Sequence, residues 1–96
     1  MVEFKWDAAK AAANLKKHGI SFHEAATVLE DPLSTTFPDE AHSTDEPRFV
    51  TIGESSRRRL LVVAHTERDD AIRIISARRA ARRERTFYEQ GKTMGR

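Results

Sequence analysis

Apolar and polar positions alternate at the start of the chain. Val2, Phe4 and Trp6 are interleaved with Glu3 and Lys5, the two-residue period of a strand with one buried face. The period then lengthens. Asp7 suits an N-cap, and the Ala- and Lys-rich stretch behind it predicts a helix over residues 7–19, closed by Gly19 where a left-handed residue ends a helix. Ser21 and Glu24 have the spacing of a capping box and open a second helix running to about Glu30. Asp31-Pro32 stops it, because the residue before a proline is pushed out of the helical region. Strand patterns follow over residues 33–37, 48–55, 59–67 and 71–77, separated by an acidic loop at 39–47 and turns at 55–58 and 68–70. Residues 60–64 and 72–77 are apolar on both parities, with Arg73 as the interruption, which marks central strands. A last helix is expected from about Arg78 to near Gly91, with Ala80, Ala81, Glu84, Phe87 and Tyr88 on its packing side and an unpacked tail at 92–96.

This order argues a single α+β domain over residues 1–96: an N-terminal strand, two helices, a mainly antiparallel sheet and a C-terminal Arg-rich helix. The helices are expected on one face of the sheet, leaving the other partly open to hold a site.

Composition narrows the chemistry. The charged share of 33% is high, but the 39% of hydrophobic residues fall in runs, which favours a folded domain over a disordered one. With no cysteine, disulfide scaffolds and thiolate metal sites are excluded. No apolar run approaches the ~20 residues of a membrane span, and the N-terminus has no signal-like apolar stretch, so a cytoplasmic protein is expected. The modest total charge of +2 conceals a split. Residues 57–96 carry twelve Lys/Arg against five Asp/Glu, a net of +7, whereas residues 1–56 carry five against ten, a net of −5. All but one of those twelve cations are arginines, whose planar fork matches a phosphate better than the point charge of lysine. A nucleic acid is the first partner this suggests.

The residues in this frame resemble a known family. Phe4-Lys5-Trp6-Asp7, Lys10, Asn14, Lys17-His18-Gly19-Ile20-Ser21-Phe22, Glu24-Ala25 and Asp31-Pro32 are similar to the opening of the BrnT toxins of bacterial type II toxin–antitoxin systems. The likeness continues through Arg48-Phe49, Gly53, Val63, His65-Thr66-Glu67 and residues 73–79 to Glu84 and Tyr88. The resemblance implies a RelE-like fold and a metal-independent endoribonuclease that cleaves RNA and inhibits translation, without a cofactor. It also implies a BrnA-like antitoxin that neutralises the toxin in a hetero-oligomer and alone brings it to promoter DNA. Asp69-Asp70 departs from the glycine-containing turn expected there, which leaves the hairpin register open.

His65 and Glu67, two apart in a strand, project to one face. Metal-free RNA cleavage needs a base for the 2′-OH, an acid for the departing 5′-oxygen and cations for the charge on phosphorus, and histidine suits the proton transfers. The flanking carboxylate is expected to raise the His65 pKa. The plainer alternative is a half-buried strand histidine bonded to a neighbour. Arg73 falls opposite His65 if the turn has three residues and opposite Thr66 if it has two, and it either meets RNA or pairs with a carboxylate such as Glu67. Arg78 and Arg79, at the strand-to-helix junction, are candidates to stabilise a pentacovalent phosphate, and His65, Glu67, Arg78 and Arg79 together make the expected catalytic group. Arg82 and Arg83 are expected to add RNA affinity, or simply to solvate the helix. His18, His23 and His42 lack convergent spacing, so no metal site is expected. The alternative to an enzyme is a non-catalytic basic module binding nucleic acid or an acidic protein.

Overall fold

The structure, a computed structural model, describes residues 2–93, with the backbone alone for Lys92 and Thr93. Of the unpacked tail expected at 92–96, the last three residues lie outside the described ones. Strand β1 (Glu3–Lys5) leads into α1 (Ala8–His18) and α2 (Phe22–Val28). Then come β2 (Thr35–Pro38), a 3₁₀ turn (Glu40–His42), β3 (Arg48–Glu54), β4 (Leu60–Arg68), β5 (Ala71–Arg79) and α3 (Arg82–Thr93).

The helix ends form as their capping residues dictate. The Asp7 carboxylate accepts from the Lys10 amide at 3.0 Å, and Gly19 closes α1 at φ 71°, its N–H donating to the Leu15 carbonyl. Ser21 Oγ accepts from the Glu24 amide at 3.1 Å to start α2. The Glu24 side chain does not complete a capping box. It is buried and turns to Arg59, which pairs with it through Nε and Nη2, and to Ser55 Oγ at 2.7 Å. The Arg59 guanidinium therefore holds the Glu24 carboxyl below the usual carboxylate range.

The sheet order is β1-β5-β4-β3-β2, with β1 parallel to β5 and the other pairs antiparallel. The two runs apolar on both parities, β4 and β5, lie inside it. Alternate β4 residues serve different cores. Leu61 and Val63 pack with Ile20, Phe22, Ala25 and Val28 of the α1/α2 layer, whereas Leu60 and Val62 pack with Ile52 and Tyr88. Helix α3 thus lies on the face opposite α1 and α2, which corrects the expectation of helices on one face only. Its anchor is Tyr88, whose hydroxyl donates to Asp31 at 2.6 Å. On the α1/α2 face, Asn14 is buried and bridges α1 to β5, donating to the carbonyls of Ile20 (3.0 Å) and Ala77 (2.9 Å) and accepting from the Ala77 amide (3.1 Å).

Strand β5 runs on to Arg79, and the helix begins at Arg82 rather than at about Arg78. The ladder explains the shift: Arg79 still pairs with Leu61, and the Ala80 amide donates to the Leu60 carbonyl. The β4–β5 turn has two residues, with Asp69 at φ 56°, a conformation aspartate tolerates. That register places Arg73 opposite Thr66. Farther along, Ala64 pairs with Ser76 and His65 with Ile74, so Ile75 is the extra residue of a bulge.

Candidate functional site

The sheet face that carries α3 is covered only toward the β3–β4 turn. At its other end three strands bring one residue each into a row, Arg48 on β3 opposite Thr66 on β4, and Thr66 opposite Arg73 on β5. Residues opposite one another in an antiparallel pair project to the same face, so this row stands on the open part of the sheet. Thr66 is 4% exposed, and its hydroxyl has no hydrogen-bond partner among the described residues. Neither Arg48 nor Arg73 has an ion pair within 4 Å among the described residues.

The acidic loop rises beside this row because short bonds tie it to β3. The Asp39 amide donates to the Arg48 carbonyl at 2.8 Å, and Ser43 Oγ accepts from the Arg48 amide at 2.9 Å while donating to the Asp39 carbonyl at 2.8 Å. The 3₁₀ turn then sets His42 on Asp39, with Nδ1 at 3.1 and 3.0 Å from the two carboxylate oxygens. The second ring nitrogen, Nε2, has no partner among the described residues, and the imidazole is largely exposed. A recess of about 360 Å³ is lined by His42, Arg48, Thr66, Arg68 and Arg73, with Lys10, Asp45 and Glu46 on its rim. A second recess of about 300 Å³ shares His42 and Arg48 and continues past Ala64 and Ser76 to Arg78. Together they form a trough of nucleotide size.

Two arginines of the trough are already engaged. Arg68 pairs with Glu46 through Nε (3.1 Å) and Nη2 (2.7 Å). Arg78 grips Glu84 with both terminal nitrogens, at 2.8 and 2.7 Å, tying the end of β5 to α3. This pairing raises the Arg78 pKa and lowers that of Glu84.

The four residues expected to act together are not brought together. His65 shares the face of α1 and α2 with Leu61 and Val63 and is 1% exposed. Its Nε2 shares a 2.8 Å hydrogen bond with Thr51 Oγ1, which in turn bonds Thr36 Oγ1 at 2.7 Å, and its ring stacks on Phe49. Its Nδ1 lies 3.9 Å from Glu67, too long for a hydrogen bond, and has no other partner among the described residues. Burial lowers the His65 pKa and outweighs the opposing pull of Glu67, the reverse of the expected shift. Glu67 is exposed on that same face. Arg79 pairs with Leu61, four residues along β4 from His65, or about 13 Å. Arg78 belongs to the opposite face with Val62. Arg82 and Arg83 stand exposed in the first turn of α3.

Sequence reasoning missed His42, Asp39, Arg48 and Thr66. The Asp39/His42 spacing of three was a usable signal for a carboxylate-held imidazole. The partnership of Arg48 with Thr66 depends on strand register, which no local pattern announces. No group of three His, Asp or Glu among the described residues is placed to hold a metal ion. No described helix is long and apolar enough to cross a membrane.

Comparison with known proteins gives a consistent answer. A family model described as the ribonuclease toxin BrnT of type II toxin–antitoxin systems matches residues 6–84. Among solved structures, the 1.1 Å crystal structure of the Brucella abortus ribonuclease toxin BrnT superposes with a TM-score of 0.66 at 26% identity, covering 85% of this chain and all of that one. No curated protein sequence matches the chain.

Proposed function

The chain belongs to the BrnT family of ribonuclease toxins of type II toxin–antitoxin systems, and on that premise we propose that it is a metal-independent endoribonuclease working on the trough of the open sheet face. The observation that carries this reading is the convergence of a carboxylate-held imidazole, His42 on Asp39, with the unpaired cations Arg48 and Arg73. In this reading His42 takes the proton of the 2′-OH as that oxygen attacks phosphorus. The bond to the 5′-oxygen breaks, the proton passes to that leaving oxygen, and the products are a 2′,3′-cyclic phosphate and a 5′-hydroxyl. Asp39 holds the ring tautomer that leaves Nε2 as the base. The arginines offset the charge that builds on the phosphorane.

His65 lacks access to RNA in this arrangement, and its role is to complete the Thr36–Thr51–His65 chain inside the sheet. Arg73 holds phosphate, Arg78 positions the end of β5 through Glu84, and Arg82 and Arg83 attract the strand from α3. We further propose that a BrnA-like antitoxin neutralises the toxin in a cytoplasmic hetero-oligomer. Only through that antitoxin would the toxin reach promoter DNA.

The test is cleavage of a labelled single-stranded RNA by the purified chain in EDTA, with the product ends identified. His42→Gln should lower the rate about 10²- to 10³-fold, and His65→Gln, once shown to be folded, should cleave within about threefold of wild type. Loss of cleavage in folded His65→Gln with His42→Gln fully active would move the chemistry to the other face. RNA binding without any cut product would leave the non-catalytic basic module in its place.

A further inference from the structure

We propose that Thr66, flanked in register by Arg48 and Arg73, is the floor of a dedicated phosphodiester subsite that binds RNA through its backbone. The inference rests on the ribonuclease reading for its choice of ligand and shares Arg48 and Arg73 with it; what it adds is the buried Thr66 hydroxyl between them.

A buried hydroxyl without a partner is costly, and folded proteins rarely keep one. Thr66 is such a hydroxyl, and valine would fill the same space without the penalty. The neighbours say what the hydroxyl waits for. Arg48 lies on one side across β3 and Arg73 on the other across β5, each about 5 Å away by strand spacing. A phosphate oxygen over the middle strand can accept from Thr66 Oγ1, while the two guanidinium forks take the remaining oxygens from either side. The other arginines of the trough are held by Glu46 and Glu84, so among the described residues these two are the arginines left for an anion, with Lys10 a further cation of the recess. Asp45 and Glu46 on the rim disfavour a bulky polyanion such as a duplex, and a single phosphodiester strand suits the 360 Å³ of space.

The test measures binding without cleavage. An RNA oligonucleotide methylated at every 2′-oxygen is titrated onto the full chain, and inorganic phosphate is titrated separately while the amide signals of Arg48, Thr66 and Arg73 are followed by NMR. Wild type should show phosphate-dependent shifts at those three amides. Thr66→Val should bind the methylated RNA about five- to tenfold more weakly, with a Tm equal to or above that of wild type. Arg48→Gln and Arg73→Gln should each weaken it about tenfold or more. Arg57→Gln, on the β3–β4 turn at the far end of the sheet, should bind as wild type does. Equal RNA affinity in Thr66→Val and both arginine variants overturns the subsite. Shifts confined to α3 overturn it as well, since the anion then sits on the helix arginines. Preference for an acidic peptide over the RNA, lost in the same variants, reassigns the row to a protein partner and overturns the phosphodiester assignment. Because methylated RNA cannot be cut through its 2′-oxygen, loss of the ribonuclease reading and loss of the subsite are seen in separate measurements.

Discussion

At the scale of single residues, burial decides what a proton costs the one strand histidine among the described residues, His65. His65 is enclosed, and its folded pKa is depressed by burial below the ordinary 6.5. The native state therefore binds fewer protons than the unfolded chain between the two values. Stability from this group is complete above about pH 6.5 and is lost as pH falls toward the folded pKa. Wild-type Tm should drop between pH 7.5 and 5.5, and the drop should be smaller in His65→Gln, which keeps a partner for Thr51 but does not titrate. Thermal melts across that range check it, and an unchanged slope would refute it. Gly53 makes a second residue-scale case. A Cβ there would stand 2.9 Å from Ser34 Cβ and 3.1 Å from Val28 Cγ1, so Gly53→Ala should destabilise by about 1–3 kcal/mol in denaturant titration.

At the scale of elements, Asn14 and Tyr88 carry the attachments of the helices to the sheet. Asn14→Ala removes three hydrogen bonds and orphans the Ala77 amide and two carbonyls in a buried place, so a loss of about 3 kcal/mol is expected at equilibrium. Tyr88→Phe loses the bond to Asp31 and should cost about 1–2 kcal/mol, with faster hydrogen exchange confined to α3. These attachments mark the limit of sequence reading. Asp7, Gly19, Ser21 and Pro32 announce the first two helices, because capping and proline sterics act within a few residues. The central strands are equally plain in their two-sided apolar runs. Register is different in kind. Whether Arg73 meets His65 or Thr66 turns on a two-residue turn at Asp69-Asp70, and the extra residue Ile75 shifts the pairing again before Ser76. The side taken by α3 was equally hidden, since Tyr88 can face either layer until Leu60, Val62 and Ile52 are seen to share one face.

At the scale of the whole molecule, the division into an acidic first half and a basic second half does not survive folding as a division in space. The acidic loop, with Asp45 and Glu46, lies on the rim of the recess whose floor carries Arg73 from the basic half. The same loop delivers His42 and Asp39, so the negative charge comes with the imidazole. On the proposed reading, RNA approaching the trough would meet attraction from Arg48, Arg73 and the exposed Arg82 and Arg83, opposed by the rim. Four phosphate contacts on a single strand give a slope of log K against log salt of about −3. Replacing Arg82 and Arg83 by Gln should flatten it by about 1.4 while leaving the cleavage rate of bound RNA nearly unchanged. Asp45→Asn removes rim repulsion without touching the Glu46–Arg68 pair, and its effect should depend on screening. At about 10 mM salt, where charges act over some 30 Å, the variant should bind RNA several-fold faster than wild type. At about 150 mM, with a reach near 8 Å, the advantage should shrink to less than twofold. Stopped-flow association with fluorescent methylated RNA at the two salt concentrations measures both numbers, and an advantage that persists undiminished at high salt would mean that Asp45 acts by contact and not through its field.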